Sequence, residues 1–334
     1  SILLIELVFG GWFKSDNLGA YFREHRMKKI SYSIKYNGKI YDYIYKRNYH
    51  GFKGDEINPK QIKAVMIGGS TADERWKPNE YTIVELINKK LKSDNINLKI
   101  INSGIEGQST VGYIANFKFW YSKLNDFKPK YFIFYTGINE LLKTNYDQWD
   151  FSDGMAKLVE LDKKERLKDN LKSRSFFYDS MRKIKHKYYI RDNTFFMDLD
   201  KPYLPPKEVK LKNYDYLKFS HAYKNNDMEN FLKDYEKSIK GYLKNIDTLV
   251  NYAKEYSAEA IIINQATAYG GHHKFHASLN YSLKMHCEKM RYSCIDFASD
   301  FVGKKEYWYD WVHTTPLGSK IISENIYPKL LNYI

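Results

Sequence analysis

Between residues 61 and 145 the sequence alternates β-type and helical text in a fixed rhythm. Apolar runs at 61–67, 98–101 and 131–135 are separated by helical stretches at 80–91 and 111–125, the first with Ile83, Leu86 and Ile87 on one face. Strands joined through helices cannot be hairpin partners. They read as right-handed βαβ units on a parallel sheet. The rhythm returns after a long interruption, with a strand at 259–264, a helix at 277–290, a strand at 292–297 and an amphipathic helix at 319–331. The expected class is therefore α/β, with five parallel strands.

The remaining text surrounds this core. Period-two alternation over 30–54, with Asn37-Gly38 at its turn, predicts an antiparallel β-hairpin ahead of the first core strand. From 146 to 254 the text is rich in Lys, Tyr and Asp, with helical pieces at 155–171, 176–188 and 225–255 and an irregular link marked by Pro202, Pro205 and Pro206. Three parts follow: an N-terminal apolar segment and hairpin over 1–60, a core over 61–145 and 255–334, and a helical insertion or cap over 146–254.

Charge and composition exclude some functions. The 54 Lys+Arg against 40 Asp+Glu give +14, which favours anionic surroundings. The same excess of Lys, Asn, Ile and Tyr also follows from an AT-rich coding sequence. No arginine-rich block, zinc-finger spacing or helix-turn-helix pattern is present, so nucleic acid is not an expected partner. The first 13 residues, SILLIELVFGGWF, are nearly all apolar and precede several basic residues. That is short of the ~20 residues needed to span a bilayer. They read either as the end of a membrane anchor or as a buried first helix. Cys287 and Cys294 read as two reduced core thiols or one bridge, and give no metal-ligand pattern.

Functional loops of parallel sheets lie at the carboxyl ends of strands. Val65-Met66-Ile67 runs there into Gly68-Gly69-Ser70-Thr71, the second strand into 102–110, and the third into Thr136-Gly137-Ile138-Asn139-Glu140. Acyl transfer needs a nucleophile, a base, a group orienting the base and donors for an oxyanion. Ser70 is the candidate nucleophile. His313 is the candidate base, and Asp310, three residues earlier in a turn, can hold its second ring nitrogen. The N–H groups of Ser70 and Gly107 and the side-chain amide of Asn139 are candidate oxyanion donors.

The blocks Gly68-Gly69-Ser70-Thr71, Asn102-Ser103-Gly104-Ile105-Glu106-Gly107, Gly137-Ile138-Asn139-Glu140 and Asp310-Trp311-Val312-His313 occur in the order of the SGNH (GDSL-like) hydrolase superfamily, which the chain resembles. The stretch 45–54 also resembles the lead-in of bacterial membrane-anchored members associated with surface polysaccharide synthesis. The resemblance implies a three-layer α/β/α, flavodoxin-like fold and esterase or acyltransferase chemistry without a metal or other cofactor. It gives Ser70, Asp310 and His313 the triad roles and Gly107 and Asn139 the oxyanion hole. It further implies an acylated carbohydrate as substrate and a place at the bacterial envelope, with the cytoplasm as the alternative. Gly69 and Glu140 depart from the usual Asp at both positions.

Other candidates are weaker. The Walker pattern requires a Lys before the Ser/Thr, which Gly68-Gly69-Ser70-Thr71 lacks. His272, His273 and His276 sit together on one loop, but adjacent histidines rarely share one ion, and no metal site is expected. His272, His273 and Trp311 are instead candidate substrate-binding residues, the indole by stacking on a sugar ring. A catalytically weak glycan-binding scaffold and a lipid esterase remain alternative functions.

Overall fold

The computed structural model describes residues 2–13, 18, 25–143, 167–168, 171–172, 174–192, 194–201, 227–268, 273–301 and 303–334. Its main sheet is five-stranded and wholly parallel: β3 (Ala64–Gly68), β4 (Ile100–Asn102), β5 (Tyr131–Thr136), β7 (Glu259–Asn264) and β8 (Ser293–Ile295), in the order β4-β3-β5-β7-β8. The near-continuous apolar strands follow from burial on both faces. Val65 and Ile67 of β3 point into one apolar cluster, Ala64 and Met66 into the other.

Helices cover both faces. The first cluster is closed by α4 (Thr110–Phe119), α7 (Glu236–Glu255) and α8 (Lys274–Met290), which supply Phe117, Tyr242, Ile246 and Leu279. The second is closed by α3 (Ile83–Ser93) and α9 (Pro316–Leu330), through Ile83, Ile87, Ile322 and Ile326. The expected three-layer α/β/α arrangement is thus present. The expected helix at 111–125 is shorter, ending at Phe119 and followed by a 3₁₀ turn at Tyr121–Lys123.

The predicted hairpin is β1 (Lys29–Tyr36) and β2 (Lys39–Lys46), paired from Lys29↔Lys46 to Tyr36↔Lys39. Its two-residue turn has φ +51° at Asn37 and +71° at Gly38, the left-handed pair that matches strand twist. A strand not foreseen, β6 (Thr194–Asp198), adds to β1 in parallel and makes a second, three-stranded sheet β2-β1-β6. The chain leaving the hairpin enters the main core: Phe52 is fully buried there, and the Trp120 indole donates to the carbonyl of His50 at 2.7 Å.

In the region read as an insertion, the helical pieces at 176–188 and 225–255 correspond to α5 (Phe176–Asp192), α6 (Asp227–Asp234) and α7. Most of the piece at 155–171, and the prolines 202, 205 and 206, lie outside the described residues. Among the described residues the remaining α-helices are α1 (Ile2–Phe9) and the single turn α2 (Ser70–Asp73). Cys287 at the end of α8 and Cys294 in β8 form a disulfide, the second of the two expectations for them. Among the described residues no helix is long and apolar enough to cross a membrane.

Candidate active site

Ser70 stands where β3 ends and α2 begins. Gly69, the residue before it, is extended (φ −84°, ψ −151°), and the serine is the first residue of the helical turn. A strand that breaks directly into a helix leaves the first side chain at the sheet edge, and Ser70 is half-buried there. Gly69 packs closely here: a Cβ at this position would lie 1.9 Å from the Asn139 amide nitrogen, which would have to move. Glycine at this position therefore lets the Asn139 amide lie against the Ser70 turn.

His313 reaches Ser70 from the opposite end of the chain. Its Nε2 lies 2.7 Å from Ser70 Oγ, and its Nδ1 lies 2.6 Å from Asp310 Oδ2. The three-residue spacing works because the aspartate folds its own loop: Asp310 Oδ1 accepts the N–H groups of Val312 at 2.9 Å and His313 at 2.6 Å. Burial pushes the Asp310 carboxyl up. The hydrogen bond and charge of His313, with those two backbone donors, more than offset this and hold it below the usual carboxylate range. The Tyr309 ring stacks on the imidazole, centroids 5.6 Å apart at 11°.

Gly107 has φ +77°, a conformation that favours glycine, and among the described residues no hydrogen bond takes up its N–H or that of Ser70. Asn139 Nδ2 donates to the carbonyl of Gln108 at 2.7 Å, which fixes the amide between the Gly107 loop and Gly69. One of its two N–H bonds is used this way, and among the described residues no hydrogen bond takes up the second. Glu140, the other departure, is buried, and its Oε1 accepts the N–H of Thr110 at 2.6 Å. A carboxylate at the start of α4 suits the dipole there, and it ties the Asn139 loop to the Gly107 loop.

Of the tentative substrate residues, His273 and Trp311 stack on one another at 5.8 Å and 14°, immediately beside Asp310 and His313. His272 lies outside the described residues. Burial lowers the His273 imidazole from its ordinary value.

Three groups of residues that sequence reasoning passed over hold these loops in place. Gln265, just beyond β7, donates to Thr71 Oγ1 at 2.7 Å and accepts the N–H of Ile138 at 2.9 Å, so one side chain ties the Ser70 turn to the Asn139 loop. Arg47 is fully buried beneath α2, donating to the carbonyls of Gly104 and Gly51 at 2.7 Å each and lying 3.3 Å from Asp73 Oδ1. Lys53 bonds the carbonyls of Asp73 and Glu74 at the end of the same turn, and burial pushes it down to about 8. The third group is a buried ion pair, Lys77 Nζ to Glu74 Oε1 at 2.8 Å. Lys77 also donates to Ser319 Oγ at 2.6 Å and to the Thr314 carbonyl at 2.5 Å. It therefore joins the end of the Ser70 turn to the residue after His313. The one available signal was the density of charge in Asp73-Glu74-Arg75-Trp76-Lys77, directly after the serine.

The Asn139 geometry gives a first prediction. Asn139→Ala is expected to lower kcat for a soluble acetyl ester about 10²–10³-fold with little change in KM, the signature of a donor that acts in the transition state. Steady-state kinetics check it. A change confined to KM would assign the amide to ground-state binding instead.

No protein-family model and no curated protein matches the chain. Among solved structures it is similar to the psychrotrophic esterase EstA from Pseudoalteromonas sp. (12% identity, 81% of this chain and 98% of that one, TM-score 0.44). It is also similar to a member of the lipolytic protein G-D-S-L family from Veillonella parvula (12% identity, 82% and 100%, TM-score 0.45). A third is a GDSL-like lipase from Bacteroides thetaiotaomicron (12% identity, 84% and 93%, TM-score 0.39). In its four ordered sequence blocks the chain resembles the SGNH (GDSL-like) hydrolases.

Proposed function

We propose that the protein is a serine ester hydrolase or acyltransferase that removes O-acyl groups, O-acetyl in the first instance, from a carbohydrate. The observation that carries the reading is the continuous line Ser70 Oγ, His313 Nε2, His313 Nδ1, Asp310 Oδ2, with both links at hydrogen-bond distance. In this reading Ser70 Oγ attacks the ester carbonyl while its proton passes to His313 Nε2. The carbonyl oxygen becomes an oxyanion facing the N–H groups of Ser70 and Gly107 and the Asn139 amide. As the tetrahedral intermediate collapses, the bond to the sugar oxygen breaks, and His313 returns the proton to that oxygen. The acyl-serine is then attacked by water or by a second hydroxyl, again with His313 as base. Water gives hydrolysis and a sugar hydroxyl gives transfer.

The carbohydrate part rests on Trp311 and His273, a flat aromatic pair beside the triad that offers a sugar ring a stacking surface. A lipid ester is the second reading, favoured by the exposed apolar helix α1.

A fluorophosphonate probe is expected to label Ser70, as found by peptide mapping, and labelling should disappear in Ser70→Ala. A folded wild-type sample that stays unlabelled would point to a glycan-binding scaffold. For the substrate, acetate release from a panel of acetylated glycans is compared with release from a small acetyl ester. Trp311→Ala should raise KM for the glycans roughly tenfold and leave the small ester unchanged. Equal effects on both would remove the carbohydrate assignment.

A further inference from the structure

In Tyr309-Asp310-Trp311-Val312-His313 the two end residues close a tight hairpin. The flanking chain runs antiparallel: Trp308 bridges Thr314, Thr315 N–H donates to the Tyr307 carbonyl at 2.9 Å, and Tyr309 N–H donates to the His313 carbonyl at 3.1 Å. Opposed residues of an antiparallel pair present their side chains on one face, and this brings the phenol onto the imidazole. Their centroids lie 5.6 Å apart at 11°, within the range of offset stacking. The loop backbone is pinned on both sides, by Ala268 N–H on the Trp311 carbonyl at 2.9 Å and by Lys77 on the Thr314 carbonyl. The imidazole itself is the part still to be held.

Two hydrogen bonds reach that ring, from Nδ1 to Asp310 Oδ2 and from Nε2 to Ser70 Oγ. Both act in the ring plane, so they resist a swing within it more than a tilt across it. Tyr309 supplies contact on a face. Among the described residues its hydroxyl takes part in no hydrogen bond. Burial, and then the charges of Asp310 and Glu74, push the phenol well above its ordinary value, so it stays neutral near neutral pH. The ring, not the hydroxyl, is therefore what His313 meets. An aromatic face attracts a cation over it. When Ser70 Oγ gives its proton to Nε2 the imidazole becomes an imidazolium, and the attraction is then stronger than in the resting site.

We propose that Tyr309 is a positioning residue for the triad, its ring holding His313 in the line between Ser70 and Asp310 while the imidazole carries the transferred proton. The catalytic part of this rests on the ester chemistry proposed for Ser70. Tyr309 itself neither gives nor takes a proton.

The test compares Tyr309→Phe, which keeps the ring, with Tyr309→Leu, which removes it. For a small acetyl ester, kcat should fall about 5- to 30-fold in Tyr309→Leu with KM within about twofold of wild type, and Tyr309→Phe should keep both within about twofold. Circular dichroism melting sets a temperature at which both variants are folded. Proton NMR gives a readout that needs no turnover. The low-field resonance of His313 Nδ1–H, assigned by its loss in His313→Gln, should be sharp in wild type and Tyr309→Phe and broadened by exchange in Tyr309→Leu. Three results would overturn the proposal: a change confined to KM, an equal loss of kcat in both variants, or a resonance that is absent from wild type or as sharp in Tyr309→Leu. A wild type that neither hydrolyses the ester nor takes the fluorophosphonate label sinks the ester reading instead, and the resonance alone then decides whether the ring holds the imidazole.

Discussion

Alanine in place of Ser70 is expected to lower kcat for a soluble acetyl ester by about 10⁶-fold, with the melting temperature within a degree or two of wild type. The size is that of removing the proposed nucleophile from a unit in which every member depends on the others. The small structural cost follows from position, since the side chain is half-buried and its hydroxyl meets His313 rather than the core. Asp310→Asn is the companion, expected to cost about 10⁴-fold. An asparagine can keep an oxygen toward the N–H groups of Val312 and His313. It would then turn an amide N–H toward His313 Nδ1, where the structure has a carboxylate oxygen, and favour the wrong imidazole tautomer. The pair also separates in acid. A carboxyl held below its ordinary value contributes stability fully above that value and loses it as pH falls through the lowered one. Wild type should therefore show an acid limb in its stability curve that Asp310→Asn lacks. Near-normal kcat in Ser70→Ala would remove the acyl-serine mechanism outright.

Lys77→Met is expected to destabilise the fold by roughly 3–5 kcal/mol, the range for removing one partner of a buried ion pair. Both charges are almost wholly enclosed, at 2% side-chain exposure each, so the Glu74 carboxylate would be left without its counter-ion. Three other donors still face it: Thr314 Oγ1, Ser319 Oγ and the N–H of Ile83. Glu74→Gln with Lys77→Met should accordingly recover part of the loss, a coupling that a double-mutant cycle in urea would measure. A purely structural role would stop there. Because Lys77 also holds the carbonyl of Thr314, next to the proposed base His313, the single variant is further expected to lower kcat at temperatures where it is fully folded, with KM little changed. Additive single and double variants would show that the two charges are not coupled.

The two predictions draw on parts of the chain that differed in legibility. Gly68-Gly69-Ser70-Thr71 could be read because an apolar run ending in glycines is a local signal, and the same holds for Asn37-Gly38, whose left-handed pair sets the hairpin register. The pairing of Asp310 with His313 was legible because both lie in one turn. Arg47 and Asp73 are 26 residues apart, Lys77 and Thr314 237, and a charge in a sequence is read by default as solvated. Only the fold turns Arg47, Asp73 and Lys77 inward. Strand β6 was missed for another reason. Thr-Phe-Phe-Met-Asp has no clean alternation, its first three residues are exposed, and it pairs with a strand 163 positions earlier. Gln265 carried no motif, since its role is to meet Thr71 and Ile138 from a third loop.

That 163-residue separation also orders events at the ribosome. Strand β1 is synthesised with β2 and can close its hairpin at once, but its other edge is not covered until Thr194–Asp198 emerges. At ordinary rates of translation this interval lasts roughly 8–30 s. The main sheet has a similar wait: β3, β4 and β5 are complete by Thr136, while β7, the neighbour of β5, begins at Glu259. Two sheet edges thus stand open together on the nascent chain, and both are templates for pairing with another molecule. For recombinant production, slower initiation or a lower temperature should raise the soluble yield more than any change to the finished fold.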